Sequence, residues 1–429
     1  MKHVSIPNEL FTLNRQRLVQ RLVPCSLAVL NANDIMPTNA DGSMGHLQNA
    51  DLFYLTGIHQ EETILVLAPD AFDANQREIL FVREPNDHLA IWEGHKLTKE
   101  QATAISGIKH VKWLSEFPAI FRSLMCEMDN VYLNTNEHHR AVLTVETRDA
   151  RFIRDCQQAF PLHRYHRLAK ILYELRAVKS QYEIDAIKAA CDLTGKGFAR
   201  VWRFLKPGVN EAEVEAEFAH EFFRHKGTFA YAPIIAAGTN NCILHYNQND
   251  QPCKKGQLLL LDVGAGLGNY MSDMTRTIPV SGRFTRRQKQ VYNAVLRIFK
   301  AQVAALVPGK TQKDLRSECE ERTTKECVDL GLLKMSDVKK QTPEKPAVQP
   351  YFMHGVTHPI GLDVHDATYV HMQISAGSVV TVEPAIYLAK EGFGVRIENT
   401  VLVTETGQID LMASIPIEAD EIEDSMTRQ

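Results

Sequence analysis

No stretch of this 429-residue chain approaches the roughly 18 consecutive apolar residues that a membrane helix needs. The opening MKHVSIPNELFTLNRQRLVQRLVPCSLAVLNAND lacks an apolar run of signal-peptide length. No membrane partner is expected, and a cytoplasmic location is. Cysteine pairs are missing as well: the eight cysteines at 25, 126, 156, 191, 242, 253, 319 and 327 include no CxxC. A chain of this size does not need disulfides, so reduced and mostly buried thiols are expected. Charge of one sign is not in excess, since 48 basic and 52 acidic residues leave −4. The basic stripe of a nucleic-acid binder is therefore lacking, and short runs such as Arg286–Arg287 with Lys289 read as solvated helix faces. What is present is ordinary for a soluble globular protein: 44% apolar and 23% charged residues, in a length that divides naturally into two domains.

Residues 1–168 read as an α/β domain. Asp51–Ile58 (DLFYLTGI), Thr63–Leu67 and Glu78–Val82 are apolar, β-rich runs bounded by turn residues, and Leu97–Ile105 and Glu116–Cys126 have helical spacing. Residues 169–429 form the second domain. A capping box, Ser180–Glu183, opens a long amphipathic helix that Pro207-Gly208 ends, and Asn210–Glu213 opens another. Beyond Gly238 the period switches to strands over Gln257–Val263, Met271–Val280, Val379–Leu388 and Val395–Thr404, with helices at 285–307 and 311–330. A polar loop is expected at 335–349, and the acidic last dozen residues are expected to be loose.

GQLLLLDVGAGLGNY invites a cofactor-loop reading, because glycines after a buried strand let backbone N–H groups approach a ligand. That reading requires a helix straight afterwards, whereas NYMSDMTRTIPVSG reads as strand. In an antiparallel hairpin, facing residues have numbers of constant sum. With Leu267–Gly268 at the turn that sum is 535, and 262 + 273 = 535, which sets Asp262 opposite Asp273. Glu383 and Glu398 flank the loop Ala389–Gly394 about a centre of 390.5, so they too can face each other. Two buried carboxylates that meet need a shared proton or a cation between them. One such hairpin has the bland alternative of a slipped register; two are hard to ascribe to accident.

The third element is MHGVTHPIGLDVHD, residues 353–366. His354 and His358 have the i, i+4 spacing of zinc helices, but Gly355, Pro359 and Gly361 exclude a helix. Four carboxylates and one imidazole make an oxygen-rich site that suits Mn²⁺, with Co²⁺, Fe²⁺ or Zn²⁺ as alternatives. Two divalent ions would balance four carboxylates, and two metals roughly 3.5–4 Å apart serve amide hydrolysis through a bridging hydroxide.

The ordered set Asp262, Asp273 (in DMTRT), His358 (in THPIGLDVHD), Glu383 (in TVEPAIY) and Glu398 (in GVRIENT) resembles the five-ligand signature of the pita-bread metallopeptidases. Within that superfamily NADLFYLTGI, IWEGHKL, CILHYNQND, FTRRQKQVYNAVL and TETG make the chain most similar to the Xaa-Pro aminopeptidases, the aminopeptidase P family, over nearly its whole length. The resemblance implies an α/β N-terminal creatinase-like domain before an α+β pita-bread catalytic domain, assembled as a homodimer or homotetramer. It implies that Asp262 is terminal on one metal, that Asp273 and Glu398 bridge, and that His358 and Glu383 hold the other. It puts His245 near the substrate's amino end, His365 on the scissile carbonyl, His354 in a proline pocket, Arg396 behind a ligand or the peptide backbone, and Glu383 as proton shuttle. It also matches Trp92 to a tryptophan that reaches a neighbouring subunit's site, against the plain reading of a packed aromatic. The substrates implied are peptides with proline second: proline lacks an N–H to satisfy, and its ring rewards an apolar wall. The chain departs from the family at Ala385, where EPG is usual, and in short segments after His365 and between Glu383 and Glu398. Two rivals remain on the same fold: an Xaa-Pro dipeptidase (prolidase) and a non-catalytic binding module.

Overall fold

Packing of two separate cores divides the chain into compact units, Ser5–Arg176 and Ala177–Gln429. The sequence expectation drew the boundary at 168; the helix Ala169–Ala177 accounts for the interval. The structure is a computed structural model that describes residues 6–342, 345–369 and 371–427. Among these no helix is long and apolar enough to cross a membrane.

In the first unit, β1 (Ser26–Asn31), β2 (Ile64–Leu67), β3 (Glu78–Val82), β4 (His110–Trp113), β5 (Asn130–Leu133) and β6 (Arg164–Arg167) form one mixed sheet in the order β4-β3-β2-β1-β5-β6. Every residue of β1 is buried, as its place inside the sheet demands, and Leu27, Val29, Val66, Phe81 and Val131 share one core with Leu124 and Met125 of the helix Phe117–Glu127. One expectation fails here. DLFYLTGI is the helix Ala50–Thr56 rather than a strand. Asn49 accepts the N–H groups of Asp51 and Leu52, and Gly57 closes the other end at φ 66°. Because Asp51–Thr56 is buried all round, it carries no 3.6-residue stripe and reads as a continuous apolar run.

The second unit pairs a helical layer with β-ribbons. The helices Gln181–Phe204 and Glu211–Arg224 both open on the expected capping boxes, and Phe198, Phe218 and Phe222 interlock between them. The strands are β7 (Thr228–Phe229), β8 (Ile234–Ala237), β9 (Leu258–Asp262), β10 (Ala265–Leu267), β11 (Tyr270–Met271), β12 (Thr275–Pro279), β13 (Val379–Val382), β14 (Ala385–Leu388), β15 (Phe393–Arg396), β16 (Asn399–Val403) and β17 (Gln408–Asp410). Helices Arg286–Ala304 and Gln312–Asp329 fall where the spacing put them. The loop expected at 335–349 contains a short helix, Met335–Val338, and its residues 343 and 344 lie outside the described residues. The acidic tail is a second correction: Ala419–Thr427 is a helix. Ile422 and Met426 are buried, Lys289 holds Asp420 and Glu423, and Glu423 also accepts from the N–H of Phe284. Residues 428 and 429 lie outside the described residues.

The glycine-rich segment folds as a hairpin because its backbones need contact. A Cβ on Gly264 would lie 1.9 Å from the carbonyl oxygen of Ser272 and 3.0 Å from the Tyr231 ring. Gly264→Ala should therefore lower the stability of the second unit by about 3 kcal/mol or abolish its folding. Gly407→Ala, where a Cβ meets nothing within 4 Å, should stay within about 0.5 kcal/mol of wild type. Urea unfolding midpoints check both.

Candidate metal centre

Two ribbons carry the four acids. In the first, the ladder has a constant sum of 537: Asp262 pairs with Thr275 and Gly266 with Met271. The turn is therefore Gly268–Asn269, both at positive φ (59° and 67°), one residue beyond the expected Leu267–Gly268. This corrects the register: Asp262 faces Thr275, and Asp273 is its diagonal neighbour. A shift of two in the sum preserves which face each side chain takes, because strand side chains alternate with a period of two. The two aspartates thus remain on one face. In the second ribbon the sum is 781, from Val382↔Asn399 and Ala385↔Arg396, and 383 + 398 = 781. Glu383 and Glu398 occupy the interruptions between β13 and β14 and between β15 and β16.

The ribbons are stitched side by side. The N–H of Glu398 donates to the carbonyl of Thr275 (3.1 Å), and the Thr400 hydroxyl donates to the carbonyl of Asp273 (3.0 Å). The histidine segment runs antiparallel to β13. Thr381 N–H donates to the His358 carbonyl, Ile360 N–H to that of Val379, and Glu383 N–H to that of Val356. His358 and Glu383 thereby become diagonal neighbours on one face. The Nδ1–H of His358 donates to the Pro359 carbonyl (3.0 Å), which aims Nε2 at Asp273 Oδ2 (3.5 Å) and Glu383 Oε1 (3.9 Å). Such a carbonyl contact on the outer nitrogen is how metal-binding histidines are oriented. Asp273, His358 and Glu398 offer ligand atoms all within 4.8 Å of one another. Asp262 and Glu383 flank that trio.

Two residues that the sequence reading did not single out hold the acids in place. The Tyr231 hydroxyl lies 2.6 Å from Asp262 Oδ1 and 2.5 Å from Asp273 Oδ1, so those oxygens are at most 2.6 + 2.5 = 5.1 Å apart. One hydroxyl hydrogen cannot serve two acceptors. Thr275 donates to Glu398 Oε2 (2.7 Å) and accepts from Arg396 Nε (3.2 Å). Arg396 itself is buried, donating through Nη2 to Asp262 Oδ2 (2.5 Å) and through Nη1 to the Tyr387 hydroxyl (2.7 Å). The Tyr387 hydroxyl in turn lies 2.9 Å from His354 Nε2, and His354 Nδ1 lies 2.6 Å from the Gly355 carbonyl and 3.5 Å from Glu383 Oε2. His365 stands at the exposed side of His358, ring centroids 4.3 Å apart. His245 is exposed, three residues past the short 3₁₀ helix Gly238–Cys242 that follows β8, and close enough to His354 to oppose its protonation. Trp92, in the first unit, ends the helix Asp87–Trp92 and is 76% exposed.

The electrostatics define what such a cluster can hold. Burial, then mutual repulsion, pushes the Glu398 carboxyl well above its usual range; burial outweighs Arg396 at Asp262 and raises Glu383 to about 7. Burial also drives His354 down to about 3, so it stays neutral, while Asp273 and Glu383 overcome burial to raise His358. Four acids, Asp273 and Glu398 buried and Asp262 and Glu383 partly so, carry excess negative charge beside one guanidinium when ionised, and a divalent cation is the natural counter-charge. The donor set, carboxylate oxygens with a single imidazole, fits a hard or borderline divalent ion.

The sequence matches metallopeptidase family M24 over residues 185–405 and the aminopeptidase P N-terminal domain over residues 11–132. The chain belongs to metallopeptidase family M24, in the branch that carries the aminopeptidase P N-terminal domain. It is 32% identical to an Xaa-Pro aminopeptidase of Escherichia coli, covering 98% of each chain. It is 30% identical to human Xaa-Pro aminopeptidase 3 over 88% of this chain and 76% of the relative. Among solved structures, Zn-substituted E. coli aminopeptidase P in complex with product matches with TM-score 0.87 at 31% identity, over 99% of each chain. The same enzyme with the inhibitor Pro-Leu gives 0.86 at 30% identity, again over 99% of each.

Two predictions follow from the charge balance. Tyr231→Phe should weaken divalent-metal affinity about 10–100-fold, measured by calorimetric titration of metal into metal-free protein. In the metal-free protein, folded Glu383 keeps its proton to about pH 7, against 4.5 for the ordinary group. Between those values the unfolded chain binds fewer protons, so this group's contribution to stability falls as pH rises through that window. Urea midpoints across the window should show the decline, and added Mn²⁺ should flatten it; a rising midpoint would contradict the assignment.

Proposed function

We propose that this chain is a metal-dependent aminopeptidase that hydrolyses the N-terminal Xaa-Pro bond of peptides. The observation that carries it is the convergence of Asp262, Asp273, His358, Glu383 and Glu398 on one buried cluster. Relatives aligned end to end bear the name Xaa-Pro aminopeptidase. In this reading the five residues hold two divalent ions, most suitably Mn²⁺. Divalent ions supply Lewis acidity, polarising a carbonyl and acidifying water. Asp262, Asp273, His358, Glu383 and Glu398 are the side chains that would hold them.

The remaining steps belong to side chains. Glu383 takes a proton from the attacking water and returns it to the proline nitrogen as the C–N bond breaks. His365, on the exposed side of His358, donates to the scissile carbonyl as negative charge develops there. His245 meets the amino end of the peptide. His354, neutral and against the Phe352 ring (centroids 4.9 Å), lines a pocket for the proline ring. Arg396 fixes Asp262 and, through Thr275, Glu398. The restriction to the first bond follows from the acids, which attract a free α-ammonium group.

The same reading includes a homodimer or homotetramer with Trp92 reaching a neighbouring subunit's site; its support is the exposure of Ile91 (78%) and Trp92 (76%) side by side. A cytoplasmic location suits eight free cysteines. The domain division 1–168 and 169–429 stays part of the proposal.

The deciding assay is hydrolysis of Gly-Pro against Gly-Pro-Pro and longer Xaa-Pro peptides by Mn²⁺-loaded protein. Cleavage of the longer peptides is expected; cleavage of the dipeptide alone would make the protein a prolidase. No hydrolysis and no bound metal would make it a binding module. Glu383→Gln should lower kcat about 10³-fold, read in the same assay.

A further inference from the structure

Behind the centre lies a buried charge pair that the reaction does not touch. Lys179 Nζ donates to Asp366 Oδ2 at 2.7 Å, with the two side chains 1% and 2% exposed. Lys179 is itself fixed: its N–H donates to the Gly377 carbonyl (2.9 Å), and Ser180 after it caps the helix Gln181–Phe204. Asp366 directly follows His365 and closes the turn that carries it, its N–H donating to the Pro359 carbonyl (3.0 Å). The turn is clamped from the other side too, because Met271 N–H donates to the Gly361 carbonyl (2.8 Å), two residues before Asp273. Space inside is fully used: a Cβ on Gly361 would lie 2.3 Å from Asp366 Oδ2 and 3.1 Å from Lys179 Cε.

A buried ion pair contributes little net stability against an apolar pair of the same volume, and its attraction offsets the desolvation cost only where the geometry is good. The pair here fixes the turn Pro359–Asp366, one end of which is next to His358 and the other next to His365. The two imidazoles pack 4.3 Å apart, so a shift of the turn changes their relation.

We infer that Lys179 and Asp366 are positioning residues, whose ion pair sets the place of His365 over the metal centre. The inference rests on the aminopeptidase reading for its kinetic consequence, though not for its structural one. The test uses full-length, metal-loaded protein with Lys179→Met. A double variant, Lys179→Met with Asp366→Asn, removes the charge of both partners if the single variant folds poorly. Against an Xaa-Pro tripeptide, kcat should fall about tenfold or more while KM and bound metal per chain hold steady. In a His365→Ala background the same change should cost less than about twofold, since its effect passes through His365. An equal loss in both backgrounds, or an unchanged kcat, overturns the proposal. A second readout is independent of activity: the imidazole NMR signal of His365 in the Zn²⁺-loaded protein, identified by its absence in His365→Ala. It should move in the double variant, and a signal at the wild-type position overturns the proposal. If wild type cleaves no Xaa-Pro peptide, the functional reading fails, and the NMR result still decides the positioning role.

Discussion

Repulsion among four carboxylates in a water-poor space is the constraint to which the rest of the C-terminal unit answers. Left to themselves Glu398 and Glu383 hold protons above their usual range, and Asp262 and Asp273 crowd a single tyrosine hydroxyl whose hydrogen can satisfy one of them. The fold maintains this costly arrangement through backbone, not side chains alone. Each ribbon is interrupted at or directly beside its acids, and hydrogen bonds between the ribbons hold the two interruptions together. A cation resolves the repulsion; until then the ladder hydrogen bonds and Arg396 bear it.

Glycine has a part in this that is not the part it plays in a nucleotide loop. Gly264 lets the strand lie against the Ser272 carbonyl and under the Tyr231 ring, and that approach brings the Tyr231 hydroxyl to both aspartates. The same D-x-G-x-G-x-G spelling that suggests phosphate binding instead allows two backbones and an aromatic ring to meet. What separates the readings is the next element, strand rather than helix, and that is visible in the sequence.

Legibility tracked the range of the interactions involved. Ladders are short-range and periodic, so the glutamate pair followed from 383 + 398 = 781 without adjustment. The aspartate pair survived a turn misplaced by one residue only because the sum moved by two and kept parity. Tyr231 was invisible, standing 31 and 42 residues from the acids it holds, in a loop with no periodic signal. Lys179 and Asp366, 187 residues apart, were invisible for the same reason. The two misread elements, Ala50–Thr56 and Ala419–Thr427, show opposite failures. The first is buried on every side and loses its stripe; the second is so acidic that its short apolar face, Ile422 and Met426, is easily overlooked.

The histidine segment faces a different problem from the ribbons, and its solution explains why a buried ion pair lies behind it. Glu383 and Glu398 sit in short gaps between strands whose ladders fix the chain on both sides. His358 is paired to β13 on one side, but the chain then leaves the ladder through Pro359 and Gly361 and must return with His365 beside His358. Proline removes a donor and glycine removes a side chain, so the turn has little of its own to hold it. The charge pair packs directly against the glycine backbone there, with a Cβ on Gly361 only 2.3 Å from Asp366 Oδ2, so the turn and the pair are placed together. The ladder places the clustered acids and His358, and where the ladder stops, Lys179 and Asp366 take over its work.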